Sequence, residues 1–374
     1  MSECQYYEFQ AIDRPLDEAA RTALRDISTR ARITATSFVN SYEWGDLKAD
    51  PRELLKRHFD LFLYLANWGS RRLALRLPKR LVDLDVLDGF ELDDELVSLK
   101  VSGEHLLIDI HRDEIEGGDW DDGGGWLAAL APVRAEILAG DLRLFVLLWL
   151  MQVEYGWTPD EAVMPAPGLG PLTGPLAALA EFLAVDADLL EAAARLAPAA
   201  SAAPSPAEID AAIRALTEDD RIDLLRRLHD GDTHVGAELR RRCRMSPADT
   251  GTAGPTAGEL RALADSIAAG RRRVAEERAA TERRKRDQDL AAARAKRLAA
   301  LATRGEAAWR EVEDQIALRH AAGYDRAATL LADLGEIAAT AGTQDQFAKR
   351  LADIRARHER KGKFIERLDK AALP

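Results

Sequence analysis

Along the first 120 residues apolar side chains recur mostly at every second position; beyond about residue 125 they recur at every third or fourth. The period-two stretches predict strands at 5–12 (Tyr6, Tyr7, Phe9, Ile12), 37–44, 72–77, 96–101 and 105–111. Over 72–77 the pattern sets Leu73, Leu75 and Leu77 inward and Arg72, Ala74 and Arg76 outward. Ser102-Gly103 is a short hairpin signal between the last two strands. Helical spacing is present at 16–28 (Leu16, Ala20, Leu24, Ile27) and again from Asp50-Pro51, where proline suits the first helical position. Leu54, Leu55, Phe59, Phe62, Leu63 and Leu65 supply a core face to that second helix. About five strands and two helices in this order predict an α+β domain over residues 1–122.

The remainder reads as helix. An acidic, glycine-rich loop at 114–125 leads into an antiparallel pair, 126–138 and 142–155, parted by Gly140-Asp141. After a loop at 165–175 come short helices at 176–183 and 189–196, then a low-complexity linker at 197–204. Ser205 and Glu208 form a capping box, Thr217 caps a further helix, and a third covers 232–242. These make a helical domain over 123–245. Residues 246–257 read as a hinge before a long charged helix running to 304. The final segment, 305–374, reads as a helical hairpin with helices at 306–320, 324–340, 344–358 and 364–368.

The long helix organises the chain. Thr256 and Glu259 form a second capping box. Leu260, Leu263, Ile267 and Val274 form an apolar stripe that resumes with Leu290, Leu298 and Leu301. Between Ala275 and Asp289 no large apolar residue occurs, which predicts a strut about 22 Å long with no buried side.

Charge sharpens this division. Residues 256–374 carry a balance of +6 and residues 1–255 one of −18, within a total of −12. Residues 83–122 hold fifteen acids against Lys100 and Arg112. A basic arm on an acidic body either folds back on it or meets an anionic partner. Two distant cysteines, Cys4 and Cys243, exclude a disulfide scaffold and a cysteine-rich zinc site. The N-terminal MSECQYYEF has no secretory pattern, and the most apolar run, 144–151, is far short of a bilayer span. The expectation is therefore a cytoplasmic protein.

Several stretches carry a resemblance. QYYEFQAIDRPL, SFVNSYEWGDLKADP with LANWGSRRL after it, and GGGWLAALAPVRAEILAGD resemble an uncharacterised bacterial protein family without an assigned activity. The tail, GYDRAATLLADLGEIA followed by FAKRLADIRARHERKGKF, is similar to the C-terminal tails of bacterial SWIM-type zinc-finger proteins. The paired cysteines and Cys-x-His of that finger are missing here. The resemblance implies a shared partner or pathway, and carries over no zinc and no catalytic residue.

Candidate chemistry is sparse. On a strand over 105–111, Asp109 and His111 share a face with Asp113 next along, a set suited to a divalent metal or to a base with its orienter. Asp119, Asp121 and Asp122 would add oxygen ligands. The competing reading is an ordinary solvated face at a sheet end. Gly123 to Gly125 precede a helix but follow acids and lack the lysine of a phosphate loop, so they read as a turn. Trp44, Trp68, Trp126, Trp149 and Trp309 read as core. Cys243 lies among Arg240, Arg241, Arg242 and Arg244 and is reactive only if exposed. His229 and His234 flank Gly231 at a helix junction, too few for zinc and suited to helix ends. In the arm, eleven bases against five acids between Gly270 and Leu298 suit phosphate contact at Arg283–Arg286, or an ordinary solvated helix.

The sequence thus points first to a non-enzymatic adaptor that presents a helical tail on a charged arm to a partner protein. Arg283, Arg284 and Arg286 are its expected contacts, with Tyr324, Leu331, Phe347 and Ile354 where they are exposed. A metal module at Asp109, His111 and Asp113 is the second reading, and nucleic-acid binding through the arm the third. No cofactor and no membrane partner is indicated.

Overall fold

The structure, a computed structural model, describes residues 3–113, 115, 122–165, 168–196, 205–243, 254–371 and 373. The chain divides into two compact units, Met1–Gly270 and Arg271–Pro374.

The first unit is built on a seven-stranded sheet. Its elements in chain order are β1 (Gln5–Gln10), α1 (Glu18–Ile27), β2 (Arg32–Ile33), β3 (Ser37–Tyr42), α2 (Pro51–His58), β4 (Leu61–Ala66), β5 (Arg71–Pro78), α3 (Leu84–Asp88), β6 (Val97–Ser102) and β7 (His105–Arg112). The strands lie in the order β2-β3-β1-β4-β5-β7-β6, and every neighbouring pair is antiparallel. Gly103, with φ +59, turns β6 into β7 where the hairpin is expected.

One expected element is replaced. Residues 61–66 are not the last turns of the second helix but β4, a central strand. The helix stops at His58, and Phe59 is already extended. Leu61, Leu63 and Leu65 then enter one core while Phe62 enters another. A strand covered on both faces is apolar throughout and loses the alternation that marks a half-exposed strand.

The outward face of the sheet is likewise not solvated. Phe9, Phe38, Phe62 and Ala74 pack there beneath α1 and α2, through Leu24, Leu54 and Leu55. The opposite face, Leu73, Leu75, Leu77, Ile108 and Ile110 among others, is covered by helices. These are α4 (Trp126–Leu138), α5 (Arg143–Tyr155), α6 (Gly174–Phe182) and α7 (Ala187–Leu196). Leu144 to Val153 of α5 are buried without a break, as a helix in the middle of a core requires. Gly123 and Gly125 lead into α4 with φ of +80 and +93, and a Cβ on Gly123 would fall 2.3 Å from the Tyr6 ring. They form a turn that only glycine fits.

Three further helices follow, α8 (Pro206–Ala215), α9 (Glu218–His229) and α10 (Val235–Cys243). The capping box at Ser205 and Glu208 and the cap at Thr217 are both present. The linker expected at 197–204 and most of the hinge at 246–257 lie outside the described residues.

A single helix, α11, runs Ala257–Ala302, unbroken at Gly258 and Gly270. At its start Thr256 N–H donates to Glu259 (2.9 Å) and Glu259 N–H to Thr256 Oγ1 (3.2 Å). Leu260 and Ile267 enter the core of the first unit. Val274 and Leu290, assigned to the apolar stripe by spacing, are instead 48% and 61% exposed. Every residue from 271 to 297 is exposed.

In the second unit α12 (Glu306–Ala317) and α13 (Ala321–Ala341) form the helical hairpin, and α14 (Gln344–Arg357) and α15 (Gly362–Lys370) pack on α13. Leu301, Val312, Ile316, Leu331, Leu351, Ile354, Phe364 and Leu368 close its core. Gly335 inside α13 allows a close approach, since a Cβ there would lie 3.1 Å from the Phe347 ring.

Candidate functional site

Four side chains form a row across the sheet. Tyr7 of β1 pairs with Tyr64 of β4, Tyr64 with Arg72 of β5, and Arg72 with His111 of β7. Cross-strand partners point to the same face. This row lies at the end of the face covered by α1 and α2. The loop that follows β3, with Asp46, Leu47 and Ala49, and the start of α2 at Pro51 enclose a cleft of about 280 Å³ above it.

The row is fixed from behind. Asp109, 4% exposed, accepts from Arg72 Nε and Nη2, both at 2.7 Å, and from Arg52 Nε at 2.7 Å. His111 Nε2 lies 3.0 Å from the same carboxylate. Burial opposes ionisation of Asp109, but the hydrogen bonds and charges of Arg72 and His111 outweigh it and hold the carboxyl well below its usual range. Arg72 also stacks on Phe62, 5.3 Å from the ring centre.

The tyrosines are anchored in the same way. The Tyr64 hydroxyl donates to Gln5 Oε1 at 3.0 Å, and the single Tyr7 O–H has two acceptors within reach, Gln5 Oε1 at 2.8 Å and Asp46 Oδ1. Burial, then the Asp46 charge, pushes the Tyr64 phenol up to about 12, and Asp113 adds to this. Both rings therefore stay neutral at physiological pH.

Asp109, His111 and Asp113 are brought to this one place, with Asp113 and His111 lining the cleft. Asp109 meets guanidinium groups there, and its lone pairs are occupied by them. Among the described residues no group of three or more His, Cys, Asp or Glu side chains is placed to hold a metal ion. Nor is Asp109 solvated, as the plain sheet-end reading expects. Asp119 and Asp121 lie outside the described residues, and Asp122 accepts from Gly124 N–H at 2.9 Å within the turn.

Other expected residues fall elsewhere. Trp149 is core, but Trp44 and Trp68 are 74% and 48% exposed, because both follow the last residue of a strand rather than sitting within it. Cys243 is buried, which removes the exposure a reactive thiol needs. His234 stands just before α10 and bonds Asp13 at 3.2 Å. Tyr324, Leu331 and Ile354 are buried in the tail core, so the exposure required of a contact residue is absent there. Phe347 is half-buried beside Trp309, 5.8 Å between ring centres, with Arg350 over the tryptophan at 4.4 Å. Arg283, Arg284 and Arg286 are fully displayed on α11.

Sequence reasoning missed Arg72, Arg52, Tyr7 and Tyr64 as site residues. A signal was available for Arg72, an arginine alternating with leucines on a central strand, where a charge needs a buried partner. It also missed a second buried network. Asp60, fully buried, accepts from Arg76 Nη2 (2.8 Å) and from the backbone N–H groups of Ile12 (2.6 Å) and Asp13 (2.9 Å). Asp13 in turn holds Arg134 Nη2 at 2.6 Å.

No protein-family model, curated protein or solved structure matches the chain. Among the described residues no helix is long and apolar enough to cross a membrane.

Proposed function

We propose that this chain is a non-enzymatic interaction protein, in which the exposed length of α11 meets an acidic surface of a partner protein. One observation carries the reading: all residues from 271 to 297 are exposed along a continuous helix of about 40 Å. A helix without a buried face receives no stability from packing, so its retention needs another use. Its bases outnumber its acids, and among the described residues no ion pair engages Arg283, Arg284 or Arg286. With no aromatic interleaved, base stacking has no platform there, which favours a protein surface over single-stranded nucleic acid.

In the tail the contact falls to Phe347 with its neighbours Trp309 and Arg350, since Tyr324, Leu331 and Ile354 are spent on the core. Trp and Arg are the residue types that anchor interfaces.

The test is capture from an extract of the source cell by the full chain and by an Arg283→Glu/Arg284→Glu/Arg286→Glu variant. The reading expects a protein held by the former at low salt and released by the latter. Equal capture by both, or capture abolished by nuclease, contradicts it.

A further inference from the structure

The cleft over the tyrosine–arginine–histidine row plays no part in the arm's proposed contact, yet it is built with more order than a solvated surface needs. Arg72 and His111 are held by a buried carboxylate, and Tyr7 and Tyr64 by the Gln5 side chain, whose own Nε2 donates to Gly45 O at 2.9 Å. Rotamers locked by such partners are what a binding wall requires.

The groups left over divide by sign. Arg72 spends Nε and Nη2 on Asp109, and His111 spends Nε2, leaving Arg72 Nη1 and His111 Nδ1 as polar atoms at the cleft. Asp46 faces the Tyr7 hydroxyl and accepts from Leu47 N–H through Oδ1 alone. Among the described residues no hydrogen bond engages Arg72 Nη1, His111 Nδ1, Asp46 Oδ2 or the Asp113 carboxylate. Asp46 and Asp113 both line the cleft that Tyr64 lines. Leu47, Ala49, Pro51 and Phe62 give the lining its apolar surface, and Ser70 and Arg71 complete it.

From this arrangement we propose that the cleft binds a small zwitterion of the amino-acid class, its carboxylate on Arg72 and on the imidazolium form of His111, which donates from both ring nitrogens, and its ammonium toward Asp46 and Asp113. A dianion meets two carboxylates, and the one further guanidinium of the lining, Arg71, donates to the Glu181 and Phe182 carbonyls and lies over the Phe182 ring. A simple amine leaves the Arg72 edge uncompensated. A ligand carrying both charges satisfies both edges, and its methylene chain lies on the apolar wall.

The experiment is isothermal titration of the full chain with glycine, 4-aminobutyrate and 6-aminohexanoate, beside butyrate and butylamine as single-charge controls. The three zwitterions lengthen the charge separation and the methylene chain together, so the span of the cleft need not be known beforehand. At least one binds with one-to-one stoichiometry, and both controls bind at least about tenfold more weakly, the loss of one charge-assisted contact. Asp113→Asn and His111→Gln each weaken that zwitterion by about tenfold or more, with circular dichroism unchanged. Asp113 is exposed, so its variant tests the site without threatening the fold. Three results overturn the proposal: no zwitterion binding below about 10 mM, a control binding as tightly as the best zwitterion, or binding untouched by both substitutions.

Discussion

Arg72 and His111, directly opposite each other on β5 and β7, share one carboxylate: Asp109 lies 2.7 Å from the guanidinium and 3.0 Å from the imidazole. With Arg52 also bound, three side chains depend on one buried charge. Removing it leaves the largely buried Arg72 guanidinium unpaired, which costs more than the pair itself contributes, whereas Arg52, 40% exposed, is left facing solvent. Asp109→Ala should therefore lower stability by about 3–5 kcal/mol in urea unfolding. Asp113→Asn, at the exposed rim, should stay within about 0.5 kcal/mol. Equal effects of the two would contradict this account of the row.

Acid should unfold the first unit through a definite set of groups. Asp13 is opposed by burial, but the His234 hydrogen bond and the Arg134 charge bring it down to about 2. Glu238 is brought to about 2 by hydrogen bonding from Arg227, against burial, with Arg242 adding to it. A folded value below the unfolded one means stability present above the unfolded pKa and lost as pH falls through the folded one. From ordinary values of 3.8 and 4.5, the loss should run from about pH 4.5 down to about 2. Asp13→Asn should flatten that part of the stability-versus-pH curve. An unchanged slope would show that Asp13 is not among the groups that titrate on unfolding.

The tail core gives a prediction independent of any partner. Leu331 is fully buried at the centre of α13, so Leu331→Ala should destabilise the second unit by about 2–5 kcal/mol. Lys349→Ala, on the exposed side of α14, should be neutral to about 0.5 kcal/mol. A neutral Leu331→Ala would mean the tail is not packed as described.

The arm's bases should be free to change without structural cost. Arg283→Ala/Arg284→Ala/Arg286→Ala should leave helicity by far-ultraviolet circular dichroism and the unfolding midpoint close to those of the parent chain, since alanine is the better helix former. A large loss of stability would reveal that these side chains are tied to a core.

What could be read from the residues, and what could not, follows from burial. The ends of the helices were legible because caps are local: Ser205 with Glu208 and Thr256 with Glu259 stand three residues apart and bond as their chemistry dictates. The exposed stretch of α11 was legible because a run without large apolar residues has nothing to bury. β4 was not, since LFLYLA enters two cores at once and carries no period. The second layer under α1 and α2 was hidden for a related reason. Arg72, Ala74 and Arg76 read as solvated, when Ala74 is 1% exposed and both arginines reach buried carboxylates through long side chains. The site itself was half legible. Asp109 and His111 share a face by strand alternation, but Tyr7, Tyr64 and Arg72 join them only through the register of four strands, which one sequence does not specify.

Whether α11 lacks a buried side from 271 to 297, where Arg294 and Arg297 reach Glu336 and Asp333 of α13 in ion pairs, is tested most directly by hydrogen–deuterium exchange, read peptide by peptide. The account predicts that amides of 271–297 exchange well before those of 260–267 and 324–334, because their hydrogen bonds are made but unsupported by packing. Protection of 271–297 equal to that of the two cores would show a buried side, and would remove the ground for a helix kept to meet a partner.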